Sequence, residues 1–160
     1  KGDQLWDLIW TAGEPYGIRV GAPNYAERIE NFLLSWGADT DEESDPFEAA
    51  IGNYVDLGVE HDFIGKQALL EKRALGPTRE LKGLLIEGEP LEPNPEPTGL
   101  RNPNGTHAGQ TRVIAHSPRF KQNLGLAIVE VPHNLPGTKL EVETSEGWRP
   151  ATVADLPFDL

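Results

Sequence analysis

A glutamate beside an apolar helical stripe is the residue of this sequence whose setting points most directly to chemistry. In the run NYAERIENFLLSWG, residues 24–37, apolar side chains recur at helical spacing, with Ile29, Phe32 and Leu33 on one face. Glu30 lies at the edge of that face. A half-buried carboxylate can accept two adjacent N–H groups of a flat heterocycle, one on each oxygen. We therefore take Glu30 as a candidate ligand contact.

Three aromatic side chains could form the walls of a pocket around that carboxylate. They are Tyr25, Trp36 and Tyr54, although each could equally belong to the core. The structural alternative for Glu30 is a pairing with a base, either Arg28 or a residue of another element. From the residues alone, the ligand contact and the structural pairing both stay open.

The generic catalytic motifs are absent from the sequence. There is no cysteine, and no histidine lies three or four residues from another, so a thiolate nucleophile and a helical metal pair are excluded. No serine lies in a G-x-S-x-G turn, and no phosphate-binding glycine loop occurs. The acidic run 39–45 could be read as a calcium site, but its spacing does not match an EF-hand loop. We expect a solvated loop there.

Charge and hydropathy limit the possible partners. The chain of 160 residues has 26 acidic and 14 basic side chains, a net charge of −12, which would repel a nucleic-acid backbone. It has no run of about 18 apolar residues that could span a membrane. We expect neither nucleic acid nor membrane as a partner, and the lack of cysteine fits our expectation of a cytoplasmic location.

The first half of the sequence reads as helices joined by turns. Apolar periodicity predicts helices over 3–12, 24–36 and 64–76, and NYVDL, residues 53–57, is typical of a short strand. The sequence has no methionine at all. We therefore expect a fragment, a processed product or a recombinant piece of a longer chain.

The second half reads as strands. Strands are predicted at 80–88, 124–131, 138–144 and 148–158, and the second of these is apolar enough to be buried on both faces. The proline-rich run 89–103 predicts a surface loop, or a strand pair distorted by proline. Turns at intervals of roughly 8–12 residues are typical of a small barrel or sandwich. We place the boundary between the halves near 77–80.

An ordered set of short motifs resembles the glycine-cleavage T-protein family of aminomethyltransferases. The set covers nearly the whole chain and includes R-x-E, P-x-E, DF-x-GK-x-AL and a terminal Pro-Phe, found here at 28–30, 46–48, 62–69 and 157–158. Within the family, HSPRFKQNLGLA and DLPF are most similar to tetrahydrofolate-dependent demethylases such as those of dimethylsulfoniopropionate. The segment SWGADTDEESDPFEA also resembles the folate domains of dimethylglycine and sarcosine dehydrogenases.

The resemblance implies a fold and a cofactor. The fold class is α+β: residues 1–78 would be the C-terminal part of a folate-binding α/β region, and residues 79–160 a small antiparallel β-barrel. The cofactor would be tetrahydrofolate, because the family's R-x-E glutamate binds its pterin ring. Glu30 occupies that position, Trp36 and Tyr54 are the other predicted cofactor contacts, and Arg28 would steady the local structure.

The resemblance also implies a reaction and a missing part. The family transfers a one-carbon unit from a substituted amine, or a methyl group from a sulfonium compound, to N5 of tetrahydrofolate. Its catalytic aspartate lies in the N-terminal half, so this chain would hold no catalytic residue and no metal ligand. We expect the chain alone to be inactive, and its partners to be a small-molecule methyl or amine donor and the missing N-terminal half.

Two departures from the family pattern favour a relative over glycine cleavage proper. Asn53, with Tyr54 beside it, replaces a family tryptophan, and TRVIA at 111–115 replaces the family's TSG. The alternative function is a non-catalytic folate-type binding or interaction module that uses the proline-rich run 89–103 as its contact surface. A stable domain without any ligand is the third interpretation.

Overall fold

The first half of the chain is helical and irregular, without a regular strand among the residues that the structure describes. A computed structural model describes residues 1–21 and 24–159. The described residues of this half form three α-helices and two 3-10 turns: α1 (Gly2–Gly13), α2 (Tyr25–Glu30), α3 (Lys66–Leu75), and the turns Glu14–Tyr16 and Gly52–Tyr54. None of the described helices is long and apolar enough to cross a membrane.

The second half forms a closed antiparallel barrel of six strands, which confirms the predicted α+β fold with a small β-barrel. The strands are β1 (Arg79–Ile86), β2 (Gly99–Arg101), β3 (His107–Ser117), β4 (Gln122–Glu130), β5 (Lys139–Thr144) and β6 (Gly147–Ala154). Their order around the barrel is β1-β4-β3-β2-β5-β6, and β6 closes it by pairing with β1. Closure leaves no open sheet edge, which protects the barrel from pairing with other chains.

Alternation along β4 explains why its sequence is almost continuously apolar. Ala127 and Val129 belong to the core inside the barrel, whereas Leu124, Leu126 and Ile128 belong to a second core on its outer face. Successive side chains of a strand point to opposite faces, so a strand that is covered on both sides has no polar position in its middle. The prediction of a strand buried on both faces is confirmed.

The outer core places α2. Ile29 is fully buried there against side chains of β1, β3 and β4, and α2 packs directly on β3 and β4. Phe158 covers the same face, and a Cβ atom on Gly83 would lie only 2.6 Å from its ring atom Cε1. The helix that carries Glu30 is thus fixed to the barrel wall.

Helix α2 is much shorter than predicted. The predicted helix over 24–36 ends at Glu30, because Phe32 adopts a left-handed backbone with φ of +52°. The amide of Leu33 then donates to the Arg28 carbonyl at 2.9 Å, and the amide of Phe32 donates to the Ile29 carbonyl at 3.1 Å, which is the Schellman pattern of helix ends. Glycine usually takes the left-handed position, so the sequence carried no signal for this stop.

The remaining predictions for individual elements have mixed outcomes. The helices predicted at 3–12 and 64–76 are confirmed as α1 and α3, and the four predicted strands correspond to β1, β4, β5 and β6. The predicted strand at 53–57 is wrong, because a 3-10 turn occupies Gly52–Tyr54. Strand β3 was not predicted as a separate strand.

The proline-rich run 89–103 is irregular except for β2, and buried polar contacts hold it to the barrel. Asn123 of β4 is the main anchor: its Oδ1 accepts from the Leu91 amide at 2.8 Å, and its Nδ2 donates to the Glu89 carbonyl at 2.9 Å. Prolines lack the amide hydrogen with which a regular strand bonds to its neighbour. The side-chain amide of Asn123 supplies some of the missing hydrogen bonds between this run and the barrel.

Candidate functional site

Helix α2 starts with a complete capping box. The Asn24 side chain accepts from the Glu27 amide at 2.9 Å, and the Glu27 carboxylate accepts from the Asn24 amide at 3.2 Å. Two of the backbone donors that a helix start leaves unpaired are satisfied in this way. The cap fixes the first turn of a helix of only six residues, and with it the directions of the side chains at 25, 28 and 30.

Glu30 is buried, and its structural partner is a serine of the barrel. Only 8% of Glu30 is exposed, and its Oε1 accepts a hydrogen bond of 2.5 Å from Ser117 Oγ at the end of β3. The Ser117 hydroxyl in turn accepts from the Phe120 amide at 3.0 Å. Glu30 therefore bridges α2 to the turn between β3 and β4, and the partner in this bridge is a hydroxyl rather than the base proposed as the structural alternative.

The two aromatic side chains predicted with Glu30 lie at the surface. Trp36 is 75% exposed and Tyr54 is 82% exposed, in contrast to the buried Glu30. Neither of them, nor Glu30, lines the cavity that borders α2. The cavity beside α2 therefore does not bring the three predicted cofactor contacts together, and their contact with a pterin stays a prediction.

The cavity beside α2 has a volume of about 530 Å³, within the usual range for small-molecule sites. Its lining residues are Asn24, Tyr25, Arg28, Ser35, Ala38 and Pro95. Tyr25 is one of the three aromatic residues that the sequence suggested as pocket walls. Arg28, Asn24 and Ser35 add a cation, an amide and a hydroxyl, so the wall combines one aromatic face with several hydrogen-bonding groups.

A buried ion pair fixes the arginine of this cavity. Arg28 Nη1 donates to Oδ2 of Asp39, which also accepts from the Ser35 amide at 2.7 Å. Asp39 is fully buried, and its Oδ1 has no hydrogen-bond partner among the described residues. Removing one partner of such a buried pair is costly, because the other charge is left buried without a counter-charge. Arg28 thus steadies the chain between α2 and residue 39, in the way that the family resemblance implied.

The acidic run is tied to the folded chain, so the prediction of a solvated loop is wrong for part of it. Asp39 is fully buried, and Asp45 Oδ1 accepts from the amides of Phe47 and Glu48, each at 2.9 Å. An aspartate side chain can accept hydrogen bonds from backbone amides two or three residues further along the chain, and this contact replaces contact with water. Among the described residues, no three His, Cys, Asp or Glu side chains are placed to hold a metal ion, so the calcium alternative has no ligand set there.

Asp41 lies in the middle of this acidic run, and its carboxylate has a lowered pKa. A hydrogen bond of 2.9 Å from the Ser44 hydroxyl lowers the pKa of Asp41 below its ordinary value of 3.8. The Glu43 amide and the charges of Arg112 and Arg79 lower this pKa further, while partial burial opposes them. The charged form of Asp41 is therefore favoured in the folded chain.

The sequence indicated Glu30 and Arg28 but not the side chains that they bond to. Ser117 lies 87 residues from Glu30 along the chain, and Asp39 lies 11 residues from Arg28. No spacing rule links positions so far apart in a single sequence. The capping box of Asn24 and Glu27 is different, because the pattern of a short polar residue followed three places later by glutamate could have been read.

Comparison with known proteins places this arrangement in a family. A family model described as the glycine cleavage T-protein C-terminal barrel domain matches residues 79–159, the whole of the six-stranded barrel. The chain belongs to the glycine cleavage T-protein family. Its barrel is the family's C-terminal barrel, and the first 78 residues lie immediately before it.

Individual relatives extend the match to almost the whole chain. Dimethylsulfoniopropionate demethylase of Ruegeria pomeroyi is 38% identical over 154 residues, which is 96% of this chain and 41% of that protein. An aminomethyltransferase of Clostridium botulinum is 34% identical over 160 residues, again covering 96% of this chain and 41% of that protein. The crystal structure of aminomethyltransferase T of Bartonella henselae superposes with a TM-score of 0.75 and 26% identity, covering 84% of this chain and 37% of that one.

This chain spans about four-tenths of the length of the curated relatives that it matches. The matched part is the C-terminal portion of those proteins.

Proposed function

We propose that this chain is the C-terminal part of a tetrahydrofolate-dependent aminomethyltransferase or demethylase. We call the longer protein, this chain together with the residues that precede it, the parent polypeptide. The observation that carries the proposal is the match of 96% of the chain to a dimethylsulfoniopropionate demethylase at 38% identity and to an aminomethyltransferase at 34% identity. Both names describe the removal or transfer of a one-carbon group, and a cytoplasmic location fits such chemistry.

The cofactor proposed for the parent polypeptide is tetrahydrofolate, which accepts the one-carbon unit at its N5 atom. A carboxylate offers about four lone-pair positions, and the Ser117 hydroxyl takes one of them on Glu30. The carboxylate therefore keeps lone pairs with which to accept N–H groups of a pterin. The cavity beside α2, with Arg28 fixed by Asp39, is a second place on the same helix where a polar ligand fits.

The work of this chain in the reaction is positioning. Binding two reactants at near-attack distance can contribute a large part of a rate enhancement without any covalent step by the protein. Glu30 is held by the barrel through Ser117, and α2 is held by its burial on β3 and β4. A rigid helix of this kind can orient a cofactor precisely enough for transfer. The catalytic aspartate and most of the opposite wall would come from the preceding part of the parent polypeptide.

A transfer assay tests the proposal. The parent polypeptide and the chain alone are each incubated with tetrahydrofolate and either dimethylsulfoniopropionate or an aminomethyl donor, and the one-carbon tetrahydrofolate product is measured. We expect product from the parent polypeptide with one of the two donor classes, and none from the chain alone. Turnover by the chain alone would show that the catalytic groups lie within these 160 residues and would contradict the proposal.

The second candidate function is a non-catalytic binding or interaction module. A cavity of about 460 Å³ favours it, because the proline-rich run and the turn between β5 and β6 line this cavity together, with residues 90–94 on one side and 144–146 on the other. A parent polypeptide that folds but binds no folate would favour this function.

A further inference from the structure

The loop between β2 and β3 contains the one Asn-Gly pair of the sequence. Gly105 follows Asn104, whereas each of the other seven asparagines precedes a proline, a leucine or an aromatic residue. Glycine has no side chain, so its backbone nitrogen is not shielded from the asparagine side chain that precedes it. That nitrogen is the atom that can close a five-membered ring on the side-chain carbonyl carbon of Asn104.

The loop is a tight turn that displays this pair at the surface. The Gly105 amide donates to the Asn102 carbonyl at 2.8 Å, and Gly105 has φ of +90°, as in a type I turn followed by a left-handed residue. The Asn102 side-chain oxygen accepts from the amides of Asn104 at 3.2 Å and Thr106 at 3.1 Å. Asn104, Gly105 and Thr106 are all exposed, so water reaches the pair.

Thr106 donates two hydrogen bonds to the side-chain oxygen of Asn104. The Thr106 amide lies 3.0 Å from this oxygen and the Thr106 hydroxyl lies 2.6 Å from it. Donors on a carbonyl oxygen stabilise the negative charge that collects there when a nucleophile attacks the carbonyl carbon. The turn therefore supplies both the nucleophile, from Gly105, and the stabilising donors, from Thr106.

One contact of the turn opposes the reaction. The Gly105 nitrogen must lose its proton before it attacks, and that proton is held by the Asn102 carbonyl. An exposed turn opens far more readily than the strands of a core, so this contact slows the attack without preventing it. The two donors of Thr106 act on the attack itself.

We propose that Asn104 is a site of spontaneous modification, at which the turn promotes loss of the side-chain amide. The Gly105 nitrogen gives its proton to water and bonds to Cγ of Asn104, and the carbonyl electron pair moves to Oδ1. When the pair returns, the Cγ–Nδ2 bond breaks and Nδ2 leaves as ammonia with a proton from water, which leaves a succinimide ring. Water then opens the ring at either carbonyl to give aspartate or isoaspartate. In sum, one water is consumed and one ammonia is released.

The isoaspartate product would alter the barrel, because its backbone runs through the side chain and is longer by one carbon atom. The Asn102 amide donates to the Thr106 carbonyl at 2.9 Å and closes the loop. Strand β2 has only three residues and lies between β3 and β5 in the barrel. We expect a longer loop to weaken the pairing of β2 with β3 and to lower the urea midpoint. This inference does not use the proposed function.

Peptide mapping by mass spectrometry tests the site on the unmodified chain. The chain is incubated in mildly alkaline buffer, and the exchange of amide for acid is followed at each asparagine. Asn53 is also exposed but precedes a tyrosine, so it is the internal control. We expect Asn104 to convert well ahead of Asn53 and to give both aspartate and isoaspartate, the latter detected with an isoaspartyl methyltransferase. Conversion no faster than at Asn53, or aspartate without isoaspartate, would overturn the inference.

Thr106→Val and Thr106→Ser test the hydroxyl. Valine keeps the shape of threonine without its hydroxyl, and serine keeps the hydroxyl. In the folded chain we expect conversion at Asn104 to be several-fold slower in Thr106→Val and nearly unchanged in Thr106→Ser. In urea the turn is lost, so Thr106→Val and the original chain should convert at the same rate. An unchanged rate in folded Thr106→Val, or the same slowing in urea, would contradict the promotion by the turn.

Two further measurements complete the test. If Thr106→Val does not fold, Thr106→Ala removes the same hydroxyl and takes its place. The isoaspartate form is separated by charge from the original chain and unfolded in urea beside it. A midpoint equal to that of the original chain would contradict the predicted effect on the barrel.

Discussion

The hydrogen bond between Glu30 and Ser117 joins the helix that carries the candidate site to the barrel beneath it. A carboxylate at the edge of an apolar stripe first suggested a ligand contact, and the structure shows that the barrel already uses one of its oxygens. A structural bridge and a pterin contact are compatible, because a carboxylate accepts several hydrogen bonds. The two functions make different predictions for two substitutions.

Glu30→Gln and Ser117→Ala separate those functions in the parent polypeptide. Glutamine keeps an oxygen for the Ser117 hydroxyl but loses the charge and one acceptor, so we expect tetrahydrofolate affinity to fall about tenfold or more. Ser117→Ala leaves the carboxylate in place, so affinity should hold while the free energy of unfolding falls by about 1–3 kcal/mol. Titration and urea unfolding measure the two quantities. Unchanged affinity in Glu30→Gln would mean that the residue is a structural bridge alone.

The pH dependence of stability at Asp41 follows from its lowered pKa. A group whose pKa is lower in the folded chain stabilises the fold above its ordinary value, here 3.8, and this contribution is lost as the pH falls through the folded-state pKa. Asp41→Asn keeps an acceptor for Ser44 but cannot ionise. We expect the variant to be less stable than the original protein at neutral pH, and the difference to shrink at pH values below 3.8. Urea unfolding across this range provides the measurement, and a difference independent of pH would contradict the prediction.

At the scale of elements, β3 approaches β4 closely at a glycine. Gly109 has φ of +135°, and a Cβ atom there would lie 2.1 Å from the carbonyl oxygen of Ile128 on the neighbouring strand. Gly137 also has a positive φ, +85°, but has open space around it. An alanine at either position would have a strained backbone, but only at Gly109 would its Cβ also overlap a neighbouring atom.

Gly109→Ala and Gly137→Ala form a matched pair. Alanine in a left-handed conformation costs about 1–2 kcal/mol, which is the loss we expect for Gly137→Ala. Gly109→Ala adds a clash with backbone that only a shift of the strand can relieve, so we expect a much larger loss of unfolding free energy or failure to fold. Thermal and urea unfolding measure both. Equal losses of unfolding free energy in the two variants would show that the strands move apart easily, and would contradict the prediction that the close approach at Gly109 requires a glycine.

The sequence predicted elements well where local signals and the final fold agree. The nearly unbroken apolar run of β4 predicted that the strand is buried on both faces. Gly65 and Gly76, both with positive φ, mark the two ends of α3. The end of α2 could not be predicted, because a phenylalanine takes the left-handed position of its Schellman turn. Phe32 packs against the outer core. This tertiary contact offsets the cost of a left-handed backbone, which a local sequence with phenylalanine at this position disfavours.

At the scale of the whole molecule, the ordered motifs were more informative than any one residue. They indicated the family and the barrel, and both are confirmed by the match over residues 79–159 and by the six closed strands. The division of the chain at residues 78 and 79 and the cofactor contacts of Glu30, Trp36 and Tyr54 stay predictions.

The central claim is that this chain contributes to a tetrahydrofolate site that only the parent polypeptide completes. Calorimetric titration of tetrahydrofolate into the parent polypeptide, and separately into the chain alone, tests it most directly. We predict saturable binding to the parent polypeptide and weak or undetectable binding to the chain. A parent polypeptide that folds but binds no tetrahydrofolate, or a chain that binds it equally tightly by itself, would contradict the claim.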